Sequence, residues 1–264
     1  MRVSGVIRGI ARTNEIFNIL AEFSPGLHRR LASALRVSQS EENRPVKAWD
    51  RENDVPWVPP EYADEHGLVG VGGSLSPTYL IRAYAEGVFP WFGEGDPYLW
   101  WSPNPRAIFD VQTGLHISRR LARTYRSGKF QITFNQAFGQ VIRACGDRPE
   151  GTWITSDMVA AYEELHRLRV AHSVEAWQDG ELAGGIYGVS INAFFAAESM
   201  FFRRTDASKV TMIALFERLR EKGFALVDTQ MLTEHTERLG AFEVSREHYL
   251  DLLNAAIEKE GVRF

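Results

Sequence analysis

The chain has 264 residues, 44% of them hydrophobic and 24% charged, the proportions of a globular protein with a sizeable core. Its single cysteine, Cys145, excludes a disulfide framework and a cysteine-rich metal site, and no apolar run approaches the roughly 20 residues that span a bilayer. The formal charge of −4 argues against a protein that coats nucleic acid, but the first 40 residues hold six arginines against Glu15 and Glu22, a local excess of four that leaves the remainder at −8.

In chain order, EIFNILAEF and LHRRLASAL have helical spacing broken by SPG at 24–26, and SQSEENRPVK then reads as a linker. Residues 1–54 are thus expected to be an N-terminal extension, partly helical or disordered. Order is expected from Val55. GLVGVGG lacks the Gly-Lys-Ser/Thr ending of a phosphate loop and reads as a turn into a helix, with Ser76 as N-cap, Pro77 as first helical residue and Gly87 at C′. FPWF and LWWSPNPR follow as aromatic turns pinned by proline.

From about Arg106 strands and helices alternate. FQITF reads as a strand, NQAFGQVIRACG as a helix, and ITSDMVAAYEELHRL as an amphipathic helix capped by Thr155 or Ser156. HSVEAWQDGELAGGIYGVSINAFFAAESMFF reads as strands with a hairpin turn at Asp179-Gly180, and KVTMIALFERLREKG as a helix closed by Gly223. FALVDTQ is an apolar strand with polar end residues, and TEHTERLGA a short helix. Such alternation predicts a mixed α/β sheet covered by helices.

Two-residue periodicity puts Glu198 and Met200 on one strand face, and Asp228 and Gln230 on one face of FALVDTQ. Strand-end positions are where open α/β sheets collect ligands. Ion pairing of Glu198 and Asp228 with Arg203, Arg204 or Lys209 would explain both acids equally well. The strand–RRTDASK–helix wiring resembles that of acetyltransferases, yet RRTDASK has no glycine to let backbone amides close on a pyrophosphate, which disfavours coenzyme A. The histidines show no metal-ligand spacing, so no metal site is expected. Cys145 reads as a structural thiol. Tryptophans in proline-bound turns near the basic stripe at 116–129 suit the stacking of unpaired nucleotides.

FPWF with WWSPNPR, then HISRRL, GTWITSDMVAAYEELH, AHSVE, GGIYG, ESMF, ASK, DTQ and LGA occur in the order of the bacterial leucyl/phenylalanyl-tRNA–protein transferases, which the chain resembles from Val55 to Leu253. The resemblance implies transfer of Leu or Phe, less often Met, from aminoacyl-tRNA to the N-terminal Arg or Lys of an acceptor protein, marking it for N-degron degradation. It implies no cofactor and an acetyltransferase-like domain at 106–264 preceded by a small α/β domain at 55–105; a cytoplasmic monomer away from membranes is a separate expectation. For that reaction the catalytic residues are expected to be Gln230, positioning the carbonyl and the attacking amine, Asp228, holding the cationic acceptor or supporting Gln230, and Glu198, hydrogen-bonding the donor's α-ammonium or terminal ribose. Ile186, Phe195, Met200, Leu215 and Leu219 match an apolar aminoacyl pocket, and Trp91 and Trp153 match positions flanking the tRNA 3′-adenosine. Arg119, Arg120, Arg123, Arg126 and Lys129 are expected to bind tRNA phosphates without reading sequence. A coenzyme A-dependent N-acetyltransferase and a non-enzymatic RNA-binding module are the alternatives. The missing glycines oppose the first, and the Glu198/Asp228/Gln230 set opposes the second.

Overall fold

The computed structural model describes residues 55–149 and 151–264, so the expectations for residues 1–54 lie outside the described part. Residues 56–92 and 97–264 pack as one unit around two sheets. The smaller sheet has the antiparallel order β1 (Leu68–Val71), β3 (Leu99–Trp101), β2 (Phe89–Pro90). The glycine-rich segment expected as a turn therefore supplies a strand. Gly70 permits it, because a Cβ there would meet Pro56 O at 2.2 Å. Helix α1 (Pro77–Ala85) starts behind Ser76 with proline in its first turn, where a missing N–H costs nothing. Gly87 follows its C-cap at φ 76°, as expected.

The larger sheet has seven strands in the order β10 (Phe242–Val244), β4 (Arg106–Asp110), β9 (Leu226–Asp228), β8 (Phe194–Phe202), β7 (Glu181–Ile191), β6 (Ala171–Gln178), β5 (Gln131–Phe134). All neighbours are antiparallel except β8 and β9, which the long helix α5 (Ala207–Lys222) connects. This is the mixed sheet expected from the alternation of strands and helices, with RRTDASK leading from strand into helix. Asp179 and Gly180 both take positive φ, the requirement of a two-residue hairpin turn, and join β6 to β7.

Helices α2 (Arg119–Arg126), α3 (Phe138–Gly146) and α4 (Ser156–Arg167) precede β6. Thr155 caps α4, its Oγ accepting from Met158 N at 3.3 Å, which decides between the two expected caps. Gly223 closes α5 at φ 82°. Strand β9 ends at Asp228, two residues before the expected end, because Gln230 turns into the left-handed region at φ 57°. Helix α6 (Glu234–Arg238) follows, and α7 (Arg246–Glu258) adds an element not expected from the pattern. No helix among the described residues is long and apolar enough to cross a membrane.

Candidate active site

A cleft of about 340 Å³ is lined by residues of both sheets. Trp91 comes from the segment after β2, Trp153 from the loop before α4, Ile186 from β7, Glu198 and Met200 from β8, and Gln230 from the turn after β9. Six of the residues singled out in the sequence thus meet in one place. Met212 of α5 and Phe109 of β4 add apolar wall. Phe195, Leu215 and Leu219 are fully buried and do not line the cleft. Leu215 and Leu219 continue, at i+3 and i+7, the stripe of α5 that Met212 begins. Phe195 packs its ring on Phe224 and Phe264.

Glu198 owes its position to a β-bulge. Tyr187 pairs with Ser199 and Gly188 with Ala197, so Glu198 has no partner on β7. An extra residue of this kind re-aims a side chain and breaks two-residue alternation. Accordingly Ala197, Glu198, Ser199 and Met200 all line the cleft, where strict alternation would offer every second one. Gly188 makes the bulge possible: a Cβ there would meet Ala196 O at 2.2 Å and the Phe195 ring at 2.6 Å.

Burial pushes the Glu198 carboxyl up to about 8, helped by the charge of Asp228 and opposed by hydrogen bonds from Tyr84 and Tyr162 and by the charge of Arg106. The carboxyl is therefore largely protonated at neutral pH. Tyr84 of α1 and Tyr162 of α4 are fully buried and hydrogen-bond each other. The Gln230 amide is satisfied with its Nε2 donating to Ala197 O at 3.2 Å and Thr229 O at 3.1 Å. The opposite end of that amide then presents Oε1 to Glu198 Oε1, 3.4 Å away, where only a protonated Glu198 can donate to it.

Asp228 is 0% exposed and faces away from solvent altogether. Its carboxylate receives Arg106 Nε at 2.9 Å and Nη2 at 2.6 Å, the Tyr249 hydroxyl at 3.1 Å, and Gln230 N at 2.9 Å. Arg106, 1% exposed, also donates to Gly87 O at 3.1 Å and lies over the rings of Phe89 and Tyr249. A buried charge needs such pairing. The expected partners Arg203, Arg204 and Lys209 are not the ones used. Arg204 meets Glu181, Lys209 meets Asp206, and Arg203 donates to the backbone at Leu182. Arg106, Tyr249, Tyr84 and Tyr162 escaped the sequence reading. The signal available was Arg106 itself, an arginine opening the apolar strand RAIFD.

The five basic residues at 119–129 are exposed. Helix α2 is capped by Ser118 and anchored by Leu121, which packs with Phe130, Val210 and Ile213. At 100° per residue, Arg119, Arg123 and Arg126 fall within about 60° of one another on the outer face. Arg120 points elsewhere and chelates Asp206 with bonds of 2.6 and 3.0 Å. Lys129 lies over the Phe130 ring.

A larger cleft, about 970 Å³, opens beside the first residues of β6 and the last of β7. Its charged groups include Arg167, Arg169 and Arg263, and it holds none of the residues expected in the site. Size alone does not make it the reaction centre. Cys145 is buried, its thiol pushed up to about 12, as befits a structural cysteine. Among the described residues no cluster of three or more His, Cys, Asp or Glu could hold a metal ion.

Comparison with known proteins decides the family. The model of the leucyl/phenylalanyl-tRNA protein transferases matches residues 108–254, and the model of their N-terminal domain matches residues 73–104. A leucyl/phenylalanyl-tRNA–protein transferase of Anaeromyxobacter sp. (strain K) is 50% identical over 208 residues, 77% of this chain and 89% of that protein. The chain belongs to the leucyl/phenylalanyl-tRNA protein transferase family. Its relative from Stutzerimonas stutzeri (strain A1501) is 46% identical over 216 residues, 80% of this chain and 95% of that one. Among solved structures, a ribosomal-protein-alanine N-acetyltransferase from Brucella melitensis biovar Abortus 2308 is 15% identical with a TM-score of 0.30, covering 41% of this chain and 86% of that chain. As a leucyl/phenylalanyl-tRNA protein transferase, the enzyme moves an aminoacyl group from tRNA to protein. Such a leucyl/phenylalanyl-tRNA protein transferase must hold an ester and an amine within reach of each other.

Proposed function

We propose that the 340 Å³ cleft is where Leu or Phe passes from the 3′ end of aminoacyl-tRNA to the N-terminal Arg or Lys of an acceptor protein. The observation that carries this reading is the meeting of Glu198, Gln230, Trp91 and Trp153 with an apolar wall in one cleft. The terminal adenosine lies between the two tryptophans, and the aminoacyl side chain enters against Ile186, Met200 and Met212. Phe195, Leu215 and Leu219 form the buried packing behind that wall. Arg119, Arg123 and Arg126 on the outer face of α2 hold RNA phosphates.

The step is aminolysis of an ester. The acceptor's α-amine, whose pKa lies near 8, is partly neutral already. Its nitrogen attacks the ester carbonyl carbon, the C–N bond forms, and the C–O bond to the ribose breaks. The ribose oxygen leaves with the proton that the ammonium loses. What the protein supplies is orientation. Gln230 Oε1 accepts an N–H of the attacking amine and fixes its approach. Glu198 hydrogen-bonds the donor's α-amino group or terminal ribose. Asp228, with both oxygens occupied by Arg106, Tyr249 and the Gln230 backbone, is a positioning residue that holds Gln230 in its left-handed turn.

Gln230→Ala tests the reading. It should lower turnover of Leu-tRNA with an Arg-initiated peptide by roughly a hundredfold or more, with the affinity for tRNA unchanged. Turnover within a few fold of wild type would remove Gln230 from the reaction.

A further inference from the structure

The proposed function places a nucleoside between Trp91 and Trp153, and it leaves one chemical group of that nucleotide without a partner. In tRNA the terminal adenosine carries a 5′ phosphodiester, a fixed negative charge that must lie at the edge of the same cleft. Two basic side chains line the cleft, Arg148 and His235. Burial and the charges of Lys209 and Arg238 lower the imidazole of His235, so it is the weaker cation.

Arg148 stands on the segment between α3 and α4, five residues before Trp153. Its Nε donates to Cys145 O at 2.9 Å, and its Nη2 donates to Ser199 Oγ, also at 2.9 Å. Ser199 is the neighbour of Glu198 on the bulged stretch of β8. The guanidinium is thus held at two points, by a helix end on one side and by the site strand on the other. These bonds use two of its five N–H groups, and among the described residues no ion pair joins it to a carboxylate. Among the described residues this cleft-lining charge thus has no carboxylate partner, while two bonds already set its geometry. A planar fork of free N–H donors matches a phosphate. Several other arginines are spent on carboxylates: Arg106 on Asp228, Arg120 on Asp206, and Arg167 on Glu164.

We propose that Arg148 is a phosphate-binding residue of this cleft, taking the phosphodiester on the 5′ side of the terminal adenosine. The inference rests on the nucleoside placement above. It makes donor recognition two-part: stacking holds the base, which any adenosine offers, and Arg148 requires that the adenosine end a polynucleotide. Free adenosine-like molecules are then discriminated against at the cleft itself, before any contact with the body of the tRNA.

The test measures binding of two non-reactive probes by quenching of tryptophan fluorescence: adenosine, and adenosine 5′-methyl phosphate, a diester like the one in RNA. Wild type should bind the phosphate probe roughly tenfold or more tighter than adenosine. Arg148→Ala should bind the two equally, with its affinity for adenosine unchanged, and Arg148→Lys should keep part of the difference. In transfer assays Arg148→Ala should raise KM for aminoacyl-tRNA and leave kcat within about twofold, because the phosphate contact is the same in ground and transition states. Equal binding of both probes by wild type overturns the proposal. So does a loss of adenosine affinity in Arg148→Ala that matches the loss for the phosphate probe, since that would mark a structural role through Ser199 and Cys145. Loss of aminoacyl transfer in wild type with the probe difference intact would instead bring down the functional reading and leave the phosphate site standing.

Discussion

Glu198 shows how a single residue gathers its properties from the fold. In sequence it is an acid among apolar and aromatic residues, ESMF after FFAA. In the structure it stands on a bulge, with Tyr84, Tyr162 and Gln230 around it and a carboxyl pushed up to about 8 by burial. The sign of the resulting pH dependence follows from linkage. An ordinary glutamate has released its proton above about pH 4.5, whereas folded Glu198 keeps it to about 8. Between those values the native state binds the extra proton, so stability falls as pH rises through this window and levels off above it. Glu198→Gln should lack that component. Urea midpoints of the two proteins, compared from pH 5 to pH 8, should diverge in favour of the variant as pH increases. His172 contributes in the opposite direction, since burial lowers its imidazole to about 4, but it is common to both proteins and cancels in the comparison. Parallel curves would mean that Glu198 ionises normally.

At the scale of an element, α2 separates a packed face from an exposed basic one on one short helix. Leu121 and Tyr125 lie on its inner side, and Arg119, Arg123 and Arg126 on its outer side. Arg120 joins the helix to the start of α5 through Asp206, whose carboxyl that pairing lowers. Helical spacing already sets Arg120 apart from Arg119, Arg123 and Arg126, and the structure adds the partner that it takes, Asp206. Each phosphate contact to RNA contributes about 0.7–0.9 to the slope of log K against log salt. Removing Arg119, Arg123 and Arg126 together should therefore reduce the slope for tRNA binding by about 2–3. Arg120→Ala should change it little while lowering the thermal midpoint. An unchanged slope in the triple variant would place the RNA on another surface. The same comparison of sequence with contact applies to β9. Its apolar run is plain in FALVDTQ, but its end is set by Gln230 N bonding Asp228 Oδ1, a tertiary matter of where Arg106 holds that carboxylate.

At the scale of the whole molecule, the site is shared between the two sheets. The smaller sheet region supplies Trp91 and Tyr84, the larger one Glu198, Gln230 and Trp153. Arg106 ties them together, paired with Asp228 on one side and bonded to Gly87 O and stacked on Phe89 on the other. A division of the chain into residues 55–105 and 106–264 thus cuts through one buried network, even though the family's two models meet close to the same place. Residues 106–264 expressed alone should lose transfer activity and unfold without a cooperative transition, because Trp91 is absent, Tyr162 loses Tyr84, and Arg106 loses Gly87 O and the Phe89 ring that cover it. A cooperative, active fragment would show that the smaller sheet is dispensable.

Much of this was legible in the chain. Helix α4 with its Thr cap, the Asp179-Gly180 hairpin, the Gly223 stop of α5 and the alternation that makes a mixed sheet are local signals, carried by backbone preference and side-chain periodicity. The ordered motifs from FPWF to LGA were enough to indicate the family. Three things were decided only by tertiary structure. The bulge at Glu198 exists because β7 pairs one residue out of step with β8. Asp228 is a support for Gln230 because Arg106, 122 residues earlier in the chain, lies against it. Gly70 makes a strand where a turn was expected because Pro56 packs directly on its backbone. Each depends on groups distant in sequence coming within bonding distance, and no local pattern records which charge, strand or backbone will be the neighbour. The sequence by itself determined most of the elements and the kinds of chemistry available; contact between distant segments decided which acid stays protonated and which becomes a buried counter-ion.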